Sequence, residues 1–86
     1  MPLDADEFDM IAGSLRESIL TFFKRNRFSA YTADEVLFEL GTFGVFTTRE
    51  VLDIQVRELI LQRRLLRSDR DGEVYYRYDN RLGLGH

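Results

Sequence analysis

Eighty-six residues and 10.1 kDa suit one compact domain, and a composition of 44% hydrophobic and 31% charged residues with a single Pro excludes a disordered or fibrous chain. The chain has no Cys and one His, His86, so disulfides, thiolate metal sites and histidine-based constellations are excluded, and neither enzyme activity nor a cofactor is expected. Fifteen acidic against 12 basic residues give a net charge of −3, the wrong sign for a strongly basic nucleic-acid binder.

The charge is unevenly spread. Residues 1–43 hold four cations against eight acids, and residues 44–86 hold eight against seven, so an anionic partner would meet the second half. Eleven of the twelve cations are Arg, whose planar fork suits phosphate and base edges; a GC-rich genome would produce the same bias. No apolar run is long enough for a membrane span, and the opening MPLDADEFDM is acidic, unlike a signal peptide, so a cytoplasmic protein without membrane contact is expected.

The first predicted helix runs from about Asp6 to Lys24. Phe8, Ile11, Leu15, Ile19 and Phe22 recur at spacings of three and four and share one face. Asp4, Asp6, Glu7 and Asp9 at its start and Lys24, Arg25 and Arg27 at its end complement the helix dipole. Phe28-Ser29-Ala30-Tyr31 reads as a brief extended segment. Thr32-Ala33-Asp34-Glu35 has the form of a capping box and opens a second helix with Val36, Leu37 and Leu40 on its apolar side and Gly41 placed to end it. The connection Gly41–Phe46 is apolar for a loop. Thr47-Thr48-Arg49-Glu50 repeats the capping signal, and the third helix is expected to reach Arg63 or Arg64 with Leu52, Val56, Leu59 and Ile60 inward. Two β-prone runs, Leu65–Asp69 and Val74–Tyr78, flank Arg70-Asp71-Gly72-Glu73, and an Asp-Gly pair in that setting predicts a hairpin. Residues 81–86 read as a loose tail.

This order resembles the winged helix-turn-helix superfamily over about residues 8–80. The residues that carry the resemblance are Thr32–Val36, Thr47–Val51, Glu58–Arg67, the Asp71-Gly72 tip and Tyr76-Arg77-Tyr78. It implies an α+β fold, mostly α, of three helices plus a C-terminal β-hairpin wing. Two features depart from the family pattern: Arg64 stands where many members place Gly, and the connection between the second and third helices is long. The resemblance further implies double-stranded DNA as partner, with the third helix in the major groove and the wing on the phosphate backbone, in a homodimeric transcriptional regulator that associates through the first helix or the tail. Thr48, Arg49, Asp53 and Arg57 would then lie in the groove, and Arg64, Arg67, Arg70 and Arg77 would meet phosphates.

Glu50, Asp53 and Glu58 share that helix, and a solvated face with Asp53 paired to Arg57 is the plainer reading of its charges. Val51, Ile54, Leu61 and Leu65 form a second apolar stripe away from the main face. Either Phe43 and Phe46 fold over this stripe and complete the core, which is the expected arrangement, or Phe43, Phe46, Ile54 and Leu61 form a protein interface. Among Tyr75, Tyr76 and Tyr78, alternation sends the last two to one face, with at least one in the core. A DNA-binding regulator is the expected function, and a winged-helix protein-interaction module is the alternative. The first requires Arg49, Arg57, Arg64, Arg70 and Arg77 on one continuous face, whereas the second tolerates their neutralisation by nearby carboxylates.

Overall fold

The structure is a computed structural model that describes residues 5–80, with side chains placed from Ser14 onward. The expectations for Phe8, Ile11 and the acidic N-terminal residues concern side chains outside the described ones, and the tail at 81–86 lies outside the described residues. The element order is α1 (Ala5–Arg25), α2 (Ala33–Thr42), α3 (Arg49–Leu61), β1 (Leu65–Arg70) and β2 (Glu73–Tyr78). Three helices followed by an antiparallel hairpin make an α+β, mostly helical fold of winged-helix topology. No described helix is long and apolar enough to cross a membrane.

Each helix gives one stripe to a shared core. Ile19, Phe22 and Phe23 come from α1, Ala33, Val36 and Leu40 from α2, and Leu52, Val56 and Leu59 from α3, with Leu65 closing the layer from β1. Phe22 and Phe23 meet edge to face at 5.3 Å between ring centroids, and Tyr31 packs its edge against both. Phe23, four residues after Ile19, falls on the same face of α1 and is fully buried, although the sequence reading did not name it there. Gln55 is the polar member of the buried side of α3; its Oε1 accepts a hydrogen bond from Arg16 Nε at 2.8 Å, so α1 supplies the partner that its burial requires.

The capping of α2 is reciprocal, as the sequence predicts. Glu35 N donates to Thr32 Oγ1 (3.2 Å) and Thr32 N donates to Glu35 Oε1 (2.8 Å). This helix runs one residue past Gly41, and the terminator is Gly44. Gly44 takes a left-handed φ of 82°, with Gly44 N bonded to Gly41 O and Val45 N bonded to Leu40 O, the paired bonds of a Schellman motif.

α3 starts one residue later than the capping-box reading places it. Thr48 is the N-cap and accepts from Val51 N at 3.2 Å, so position N3 is Val51 and no Glu returns the bond. α3 also ends earlier than expected, at Leu61. Arg63 takes φ 60°, Arg63 N bonds Ile60 O and Arg64 N bonds Leu59 O, which is a second Schellman closure made without glycine. The left-handed residue that the resemblance calls for is present, one position before Arg64 and with a side chain on it.

At the hairpin, Asp71 (φ 53°) and Gly72 (φ 81°) are both left-handed between the paired residues Arg70 and Glu73. Two positive φ values in a two-residue loop are the requirement of a type I′ turn, which matches the twist of its strands. The pairing Leu65–Tyr78, Arg67–Tyr76 and Asp69–Val74 sets one face of the hairpin toward the helices, and Leu66–Arg77, Ser68–Tyr75 and Arg70–Glu73 form the other. Tyr76 and Tyr78 pack on the core and Tyr75 faces away, as alternation predicts. Of the extended segment expected at Phe28–Tyr31, only Tyr31 pairs with a strand. Tyr31 and Tyr76 exchange both backbone hydrogen bonds at 2.8 Å, so β2 is bonded along one edge to β1 and at one point on the other edge to the segment ahead of α2.

Candidate interaction surface

The fold separates the residues predicted to contact DNA. The Thr48 hydroxyl oxygen is taken up by the cap of α3. Arg49 donates from one guanidinium nitrogen to Asp34 Oδ1 at 2.6 Å and from Nε to Asp53 Oδ1 at 3.3 Å, which ties the starts of α2 and α3 together. The hydrogen bond to Asp53 and the charges of both carboxylates hold the Arg49 pKa above its ordinary value. Asp53 thus pairs back to Arg49 and not forward to Arg57, and Arg49 bridges it to Asp34. Arg67 is matched to Asp69 at 3.2 Å.

The remaining cations do not share one face. Arg49 borders a recess with Asp34, Gly72, Val74 and Tyr76, on the side of the hairpin that looks toward the helices. Arg70 and Arg77 border another with Ala30, Ser68 and Tyr75, on the side that looks away. Arg64 is half-buried at the closure of α3, where its carbonyl accepts from Asp79 N. Arg57 is exposed and makes no ion pair with a described residue.

The apolar candidates are all at the surface. Ile54 is 55% exposed, Leu61 71%, Phe43 71% and Phe46 83%. The expected cover of the second stripe therefore does not form. The Schellman closure at Gly44 explains this, because it turns Val45 inward onto the core and leaves its neighbours Phe43 and Phe46 outside. Of the stripe itself, Leu65 is buried as part of β1, Val51 is half-buried, and only Ile54 and Leu61 are left facing solvent. Sequence reasoning gave no role to two further exposed aromatics, Phe38 on α2 and Phe28. Phe28 lies beside Arg27, whose guanidinium sits 5.2 Å from the ring centroid.

Burial along α3 defines its outer ridge. The exposed residues are Arg49 and Glu50 in the first turn, then Ile54, Arg57 and Leu61. At about 100° per residue, Glu50, Ile54, Arg57 and Leu61 lie opposite the buried Leu52, Gln55, Val56 and Leu59. No family model matches the chain, and no curated protein or solved structure matches it.

Proposed function

We propose that this chain is a winged-helix protein-interaction module whose contact surface is the outer ridge of α3 with the aromatic connection ahead of it. One observation carries the reading. The ridge that a groove-reading helix would press into DNA bears Ile54 and Leu61 with one acid and one base between and beside them. Base edges are read chiefly by hydrogen-bond donors and acceptors, and the aliphatic side chains of Ile54, inside the ridge, and Leu61, at its end, offer none. Large exposed aliphatic and aromatic residues grouped on one element are the usual mark of a protein contact. The division of the arginines between two sides of the hairpin, and the neutralisation of Arg49 and Arg67, point the same way.

A DNA-binding regulator is the second reading, favoured by Arg57 on the ridge, which pairs with no described residue, and by Arg70 and Arg77 on the wing. A titration of mixed-sequence duplex DNA at two salt concentrations, read by fluorescence anisotropy, decides between them. The protein-interaction reading expects no salt-steep binding by the native protein and no difference with Arg57→Ala. Steep salt dependence that is lost with Arg57→Ala or Arg70→Ala overturns that reading in favour of DNA, with the slope giving the number of phosphates engaged.

A further inference from the structure

We infer that the partner of the α3 ridge is a second copy of this chain, packed antiparallel about a two-fold axis beside Ile54; the inference rests on the protein-interaction reading and names its partner. The ridge residues Glu50, Ile54, Arg57 and Leu61 follow one another at spacings of four, three and four, the spacing of a helix–helix seam. Their chemical order is acid, aliphatic, base, aliphatic.

A two-fold interface brings residue i of one copy to residue j of the other and j to i. With the axis at Ile54, the two Ile54 side chains meet at the centre. Glu50 lies four residues before that point and Arg57 three residues after it, about 6 Å and about 4.5 Å along the helix. Each Glu50 therefore faces the Arg57 of the other copy, and the ion pair forms twice. Leu61, seven residues beyond the centre, arrives at the other copy's connection, where Phe46 is 83% exposed.

The opposite orientation fails on charge. A parallel pair would set Arg57 against Arg57 and Glu50 against Glu50, and like charges brought together at an interface are unfavourable. Both side chains are also free to pair across an interface, since neither makes a hydrogen bond or ion pair with a described residue, unlike Arg49. The ridge is thus self-complementary in one orientation only, in charge and in apolar surface together.

Sedimentation equilibrium across a concentration series tests this on the whole chain, with Glu50→Arg, Arg57→Glu, the double exchange Glu50→Arg/Arg57→Glu, and Ile54→Asp beside the native protein. Circular dichroism melts accompany each variant; all three positions are exposed, so the variants are expected to fold. The native chain is expected to dimerise reversibly. Each single exchange places two like-charge contacts in the interface and weakens association by about tenfold or more. The double exchange restores the pairs with their signs reversed and returns association to near the native value, and Ile54→Asp is monomeric. A native chain that stays monomeric at millimolar concentration, or a dimer indifferent to the single exchanges, overturns the inference. Neither result touches the protein-interaction reading, which falls only to the salt-steep DNA binding described above.

Discussion

At the close of α3, a residue carrying a Cβ takes a conformation that glycine adopts without steric penalty. Arg63 holds φ 60° so that its own amide and that of Arg64 can reach back to Ile60 and Leu59. Left-handed backbone costs a non-glycine residue of order 1 kcal/mol. Arg63→Gly is therefore expected to stabilise the fold by about 0.5–1 kcal/mol, the greater unfolded-state freedom of glycine offsetting part of the gain. For a domain of this size that is a rise of a few degrees in the thermal midpoint, about 4–8 °C per kcal/mol, readable by circular dichroism. Tyr75 offers a second residue-scale test. Its hydroxyl donates to Glu73 Oε2 at 3.1 Å, and this bond to a carboxylate, with the carboxylate's charge, raises the phenol pKa above 10.0. The contribution to stability is present below the ordinary phenol pKa and is lost as pH rises through the raised one. Ultraviolet titration should show Glu73→Gln bringing the Tyr75 ionisation down toward its ordinary range.

The elements separate what local sequence encodes from what it does not. The capping box at Thr32 and the Asp71-Gly72 turn were legible because each is complete within four residues, where the chemistry of a cap or a left-handed pair acts. The start of α3 slipped by one residue because Thr47 and Thr48 can both cap, and the box pattern favours Thr47 on a Glu50 that does not return the bond. Its apolar face was legible from the periodicity of Leu52, Val56 and Leu59, but the burial of Gln55 depends on Arg16, thirty-nine residues away. In the candidate site, the outward stripe was visible in the spacing of Ile54 and Leu61. That Phe43 and Phe46 do not cover it was not, because the answer lies in how the chain turns at Gly44. Likewise no spacing rule pairs Arg49 with Asp34 on another helix. Thr48 is the element-scale prediction: as the N-cap of α3, it should lose about 1 kcal/mol of stability on Thr48→Ala, measured by chemical denaturation, with no change in association by sedimentation.

For the whole molecule the margin is thin. The buried apolar side chains of the described core are few, and small domains hold only a modest surplus of burial over chain entropy. Phe23 is the largest of the fully buried side chains and touches Phe22 and Tyr31. Phe23→Ala should cost about 3–5 kcal/mol, a large fraction of the ~5–15 kcal/mol typical of a whole domain, and should leave the protein substantially unfolded at 37 °C by circular dichroism. Self-association through α3 would add to that margin by mass action, since whatever binds only the folded chain stabilises it.

The single bridge from Tyr31 to Tyr76 has a mechanical consequence. Because β2 is held on both edges at that level, the hairpin is clamped by backbone hydrogen bonds at Tyr76, and beyond it only β1 bonds to β2, with the tip facing Asp34 and Arg49 across the recess they share, like a short cantilever. Amide exchange should be slow at Tyr31 and Tyr76 and fast at Asp71 and Gly72, read by NMR in deuterated solvent. A load applied at the tip bends the last few residues and does not swing the wing as a body, and any force that does reach the root acts on the segment that leads directly into the capped start of α2.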